Sequence, residues 1–127
     1  MSNMLFVTLG GLFAAVAVGL GAIGAHALQT RLEPAQMAIF EKAVHYQLIH
    51  AIGLILVGLL CFHHRHWLFD AAGWSMLAGI VLFSGFLYVY LATGRRGFVH
   101  PVPVGGMAFI TGWLLLAAGA FRAWWRY

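Results

Sequence analysis

Four long apolar runs, separated by short polar connections, account for nearly the whole chain. The runs cover residues 4–28, 38–62, 71–93 and 102–120. About 20 apolar residues at 1.5 Å rise each cross the hydrocarbon core of a bilayer. In lipid every backbone N–H and C=O must pair within its own segment, so each run is expected to be a helix. The connections are short enough to make consecutive helices antiparallel neighbours. The predicted fold is an all-α membrane protein, an up-down bundle of four transmembrane helices, forming a single domain over residues 1–127. Neither an internal repeat nor a low-complexity linker interrupts the pattern.

Composition agrees with a bilayer as solvent. Hydrophobic residues make up 63% of the 127 positions and charged residues 8%, where a soluble domain is about a quarter charged. Mean hydropathy is +0.91. Such a chain lacks the polar surface of a water-soluble globule and the charge density of a disordered one. The net charge of +4 comes from scattered cations near the ends of the runs, the usual place for headgroup contacts. Membrane lipids are therefore the expected partners, and nucleic acid is not. The single Cys61 excludes an intrachain disulfide. Ala25-His26-Ala27 has the form of a signal-peptidase site, but the preceding apolar stretch is too long and has no Lys or Arg before it, so the first run is expected to stay as a span.

Small residues are frequent, with 16 glycines. Gly11, Ala15 and Gly19 form one helical row, Ala17, Gly21 and Ala25 a second, and Gly105, Ala108 and Gly112 a third. Small residues let membrane helices approach closely. Packing inside one bundle explains them; a homodimer or another membrane-protein partner is the alternative.

Polar side chains are distributed unevenly in depth. Counted from Ala38, Tyr46 and Gln47 lie about 12–14 Å into the second helix and His50 about 18 Å. His26 ends the first helix, and Ser84 and Tyr88 share a face of the third at i, i+4. At 100° per residue, Ala43, Tyr46, Gln47, His50 and Gly53 share one side of the second helix, with His45 nearly opposite. Polar groups in hydrocarbon are costly, so His26, Tyr46, Gln47, His50, Ser84 and Tyr88 are expected to point at one another in an inward cluster, open toward Arg31, Arg95 and Arg96. Such a cluster serves either as interhelical glue or as a cavity for a small ligand, a lipid headgroup or an ion.

Specific chemistries find less support. His26 and His50 differ in depth by a turn or more, which disfavours a metal or bis-histidine haem site. His63, His64 and His66 around Arg65 read as a solvated interfacial turn. The only Asp, Asp70, lies at the far face from the cluster, so no Ser–His–Asp set forms. No catalytic residue, metal ligand or cofactor is assigned, and an enzyme is not expected.

The stretches Gly21-Ala22-Ile23-Gly24-Ala25-His26, Tyr46-Gln47-Leu48-Ile49-His50, Phe83-Ser84-Gly85-Phe86-Leu87-Tyr88, Pro103-Val104-Gly105-Gly106 and Gly112-Trp113 together resemble the YgdD-like family of small inner-membrane proteins. Phe86 departs from that pattern, standing where a small polar residue is expected. The resemblance implies a four-helix, multi-pass protein of the bacterial inner membrane, and it implies no reaction. Basic C-terminal ends in that family imply cytoplasmic termini, which would turn the polar half toward the periplasm. Two functions are carried forward: an inward cluster that binds a ligand, or a structural or assembly subunit packing through its Gly/Ala-rich faces.

Overall fold

A computed structural model describes residues 2–126. It contains four helices long and apolar enough to cross a membrane, and no strand among the described residues. They are α1 (Ser2–Leu28), α2 (Pro34–His63), α3 (Trp67–Thr93) and α4 (Val102–Trp124). The chain is an all-α membrane protein. The helices continue two to four residues past most of the apolar runs, and at the starts of α2 and α3 polar caps that hydropathy does not register set the new boundaries. At the start of α2, the Glu33 carboxylate accepts from the Gln36 backbone N–H, and the Gln36 side chain accepts from the Glu33 N–H at 3.0 Å, with Pro34 opening the helix. His66 caps α3 by accepting from the Leu68 N–H at 3.2 Å. The connection between α2 and α3 thus shrinks to residues 64–66, and Trp67 to Asp70 are helical. Gly94 ends α3 at φ 67°, a left-handed conformation that costs glycine nothing. A short 3₁₀ turn, Arg96–Val99, leads into α4.

The helices pack as a chain of neighbours: α1 mainly on α2, α2 on α3, and α3 on α4. Glycine sets the closest approaches. A Cβ on Gly10 would lie 2.6 Å from the Ala51 carbonyl oxygen, and one on Gly58 would lie 2.7 Å from that of Asn3. Backbone therefore meets backbone along the α1–α2 seam. Between α2 and α4, Met76 of α3 fills the space over Gly53 and Gly112, at 2.9 and 2.8 Å from where their Cβ atoms would stand. The apolar core, with Phe6, Leu54, Val57, Phe69 and Met76 fully buried, gathers toward the end that carries both chain termini.

Two helices are not α-helical throughout. α1 finishes in a π-helical turn at Gly24–Leu28, and α3 opens into one at Ile80–Gly85. The second meets Gly105, whose missing side chain would collide with the Phe83 backbone nitrogen. The wide turn of α3 and the bare backbone of α4 fit each other, and π turns concentrate at functional places in helices.

The small-residue rows divide between two uses. Ala17 is buried, and Gly105 and Gly112 are buried in the α3–α4 contact. Gly11, Ala15 and Gly19 lie on the outside of α1, and nothing comes within 4 Å of a Cβ placed on Gly11 or Gly19.

Candidate functional site

Polar side chains of α2 and α3 meet in the half of the bundle away from the termini. Gln47, His50 and Ser84 are buried at 3%, 3% and 0% exposure. The Tyr88 hydroxyl donates to Gln47 Oε1 at 2.7 Å, and Gln47 Nε2 donates to the Phe13 carbonyl of α1 at 2.9 Å. One glutamine thereby ties three helices together. Ser84 Oγ donates to the Ala43 carbonyl at 2.7 Å, from within the π turn. The widened turn alters the residue spacing around it, yet Ser84 and Tyr88 both reach α2, as their i, i+4 spacing requires.

His50 belongs to a second set. Its Nδ1 lies 2.6 Å from the Tyr46 carbonyl oxygen, and Trp113 of α4 donates its indole N–H to Nε2 at 3.0 Å. A carbonyl only accepts, so Nδ1 carries the proton; an indole only donates, so Nε2 offers its lone pair. Both nitrogens are satisfied by the neutral ring, and a proton on Nε2 would set two N–H groups against each other. Phe109 stacks on the imidazole with centroids 3.5 Å apart and planes 13° from parallel. Tyr46 stacks on it from its own helix at 6.0 Å, and Phe83 packs against Tyr46 at 4.9 Å. No buried side-chain N or O among the described residues lacks a hydrogen-bond partner.

The expected cluster therefore forms in part. Gln47, His50, Ser84 and Tyr88 point inward. Tyr46 does not: it is 40% exposed on the flank between α2 and α4, packed against the rings of Phe83 and Phe109. His26 is exposed and stays outside the network. It sits in the π turn that ends α1, and Phe40 fills the space over Gly24 there. The inward set opens toward neither Arg31 nor the Arg95-Arg96 pair, all of which are exposed at the helix ends. Phe86 turns away to pack on Phe98 at 6.2 Å.

The open space is lateral. A groove of about 440 Å³ runs along the α2–α4 flank, lined by His45, Tyr46, Phe83, Phe109, Ile110 and Trp113, with His50 behind. Its size falls in the range of small-molecule sites, and its wall is mostly aromatic with a few polar groups. The Tyr46 hydroxyl has no hydrogen-bond partner among the described residues, and the neighbouring His45 ring is exposed. Residue-by-residue rotation on α2 missed three contributors, Phe109, Trp113 and His45. A buried-facing Trp needs an acceptor for its N–H, so Trp113 in mid-helix was the available signal. Among the described residues no three His, Cys, Asp or Glu side chains converge.

Comparison with known proteins adds a family. The model of a family described as "Protein of unknown function (DUF423)" matches residues 20–106, from the end of α1 to the start of α4. The UPF0382 membrane protein SH2409 of Staphylococcus haemolyticus is 40% identical over 121 residues, 93% of this chain and 96% of its own length. The UPF0382 membrane protein YwdK of Bacillus subtilis is 38% identical, over 92% and 96%. A UPF0382 membrane protein of Staphylococcus epidermidis is 42% identical, over 92% and 95%. No solved structure matches. Near full-length identity to several relatives, together with a family match over more than half of the sequence, means that the chain belongs to the DUF423/UPF0382 family of bacterial multi-pass membrane proteins.

Proposed function

We propose that this protein takes an amphipathic, lipid-like molecule from the surrounding bilayer into the groove between α2 and α4. The observation that carries the reading is Tyr46. It lies about 18 Å along a helix about 45 Å long, well inside the hydrocarbon. The residue is 40% exposed, and its hydroxyl forms no hydrogen bond among the described residues. A polar group left unpaired at that depth is costly, and a ligand's polar end would satisfy it. His45 supplies a second polar contact at the rim. His50, Phe109 and Trp113 form the wall, and Gln47, Ser84 and Tyr88 hold that wall by bonding α2 to α1 and α3. His26 has no role in this reading.

The bacterial cytoplasmic membrane is the proposed location, with both termini inside; the support is the basic C-terminal end, Arg122 and Arg126, which the YgdD-like resemblance pairs with cytoplasmic termini. The narrower kinship to the YgdD-like branch rests on the motif set alone. A phospholipid carrying a photoactivatable group in mid-chain tests the groove. In vesicles, labelling should concentrate on residues 45–50 and 106–113 over the lipid-facing surface of α1. Tyr46→Phe should lower it with thermal stability unchanged. Even labelling around the bundle would exclude the groove as a site.

One observation favours a second reading, an assembly subunit. The bare outward row of Gly11, Ala15 and Gly19 suits close approach of another helix. Replacing Gly11 and Gly19 by Leu should abolish a crosslinked membrane partner under that reading and leave groove labelling intact.

A further inference from the structure

The end of the bundle that carries both termini brings three arginines to one place. Arg65 comes from the α2–α3 connection; Arg122 lies in the last turn of α4 and Arg126 in the turn that follows it. With His66 they line a cavity of about 60 Å³. Gly119 makes the convergence possible: a Cβ there would stand 2.8 Å from the Phe69 ring, so α4 lies close against the first turn of α3. Snorkelling and the α4 carbonyl dipole account for Arg122 and Arg126, but not for Arg65 arriving from another element at the same cavity.

Among the described side chains, cations outnumber acids here. Asp70 is the one acidic side chain among them at this end; its Oδ1 accepts from the Ser2 hydroxyl, and it lines a cavity together with Arg65. Glu33 and Glu41 lie at the other face. None of the three guanidinium groups forms an ion pair among the described residues. The N-terminus of α3 ends here as well and adds its positive dipole end. From Arg122 and Arg126 an apolar trough of about 380 Å³ runs beside Phe121 and Trp125, whose rings are 6.3 Å apart. Trp67 and Trp124 are exposed at this level, as in an interfacial aromatic belt.

We propose that this site binds the phosphate of an anionic phospholipid, with Arg65, Arg122 and Arg126 on the headgroup oxygens and an acyl chain along the Phe121–Trp125 trough. Guanidinium groups present paired donors matched to phosphate. A free phosphate would use the arginines and leave the trough empty; the continuity of cationic cavity and apolar trough selects the lipid. The site lies at the opposite end of the bundle from the groove of Tyr46 and does not depend on it.

Native mass spectrometry of the full chain in detergent tests this, titrated with dioleoyl phosphatidylglycerol and, separately, dioleoyl phosphatidylcholine. The anionic lipid should bind roughly tenfold tighter or more, and Arg122→Gln and Arg126→Gln should each weaken it roughly fivefold. The pair Arg95→Gln and Arg96→Gln, at the far end, should leave it unchanged, and Arg126→Lys should retain most of it. Equal binding of the two lipids by the unaltered protein would overturn the proposal. So would an equal loss in the far-end pair, which would mean diffuse charge attraction. Complete displacement by millimolar inorganic phosphate would overturn the lipid assignment in favour of a free anion.

Discussion

α2 has two sides that solve the same packing problem differently. Toward α1 it offers Ala51 and Gly58, and glycine lets backbone approach backbone, with Ile55 and Val7 packed close beside the contacts. Toward α4 it offers Tyr46 and His50, and the gap is filled by stacked rings and one indole–imidazole bond. A seam closed by absent side chains has no room to adjust, since a carbonyl of a helix cannot rotate aside. A seam filled by aromatic rings can exchange part of its filling for another flat or chain-like group. The first kind of contact fixes the bundle; the second leaves an adaptable groove.

This contrast is best attacked where it is most rigid. Gly10→Val would push branched carbon into the Ala51 carbonyl and should cost about 2–3 kcal/mol, read as loss of the folded fraction in a detergent–SDS titration. A fully stable Gly10→Val protein would mean that the α1–α2 seam is not closed by backbone contact. Gln47→Leu comes next. It removes the link from Tyr88 to the Phe13 carbonyl and should cost about 1 kcal/mol in the same titration, near the usual worth of an interhelical hydrogen bond in a membrane. Trp113→Phe keeps the ring and removes only the donor to His50, for about 0.5–1 kcal/mol, and should move the His50 ring nitrogen resonances without altering those of His26. The smallest effect belongs to Gly11→Ala with Gly19→Ala. Nothing lies near either position, so stability should stay within about 0.5 kcal/mol. A large loss there would show that α1 has a close neighbour on its outer side.

Hydropathy and depth made much of this readable. The four helices follow from run length, and the inward direction of Gln47, His50, Ser84 and Tyr88 follows from their spacing together with the cost of polar groups in lipid. His26 is placed by the sequence only through its depth at the end of α1, with nothing in the spacing to fix its direction, and it stands exposed in the π-helical turn. Tyr46 was assigned by its place on the helix wheel, yet a long side chain at the margin of a face can go either way, and the rings of Phe83 and Phe109 decided it. Trp113 and Phe109 come from α4, whose distance from α2 depends on Met76 and Gly112 in between. Such pairings across a third helix are a property of assembly, which spacing along one helix does not encode.

The α1–α2 seam also bears on how the protein is made. α1 finds nearly all its contacts in the segment synthesised immediately after it. The first hairpin can therefore close in the bilayer while the rest of the chain is still on the ribosome, and α3 then docks onto an existing pair. The contact pattern suits addition of one helix at a time to a finished edge, an order in which the groove beside α4 closes only when the last helix arrives.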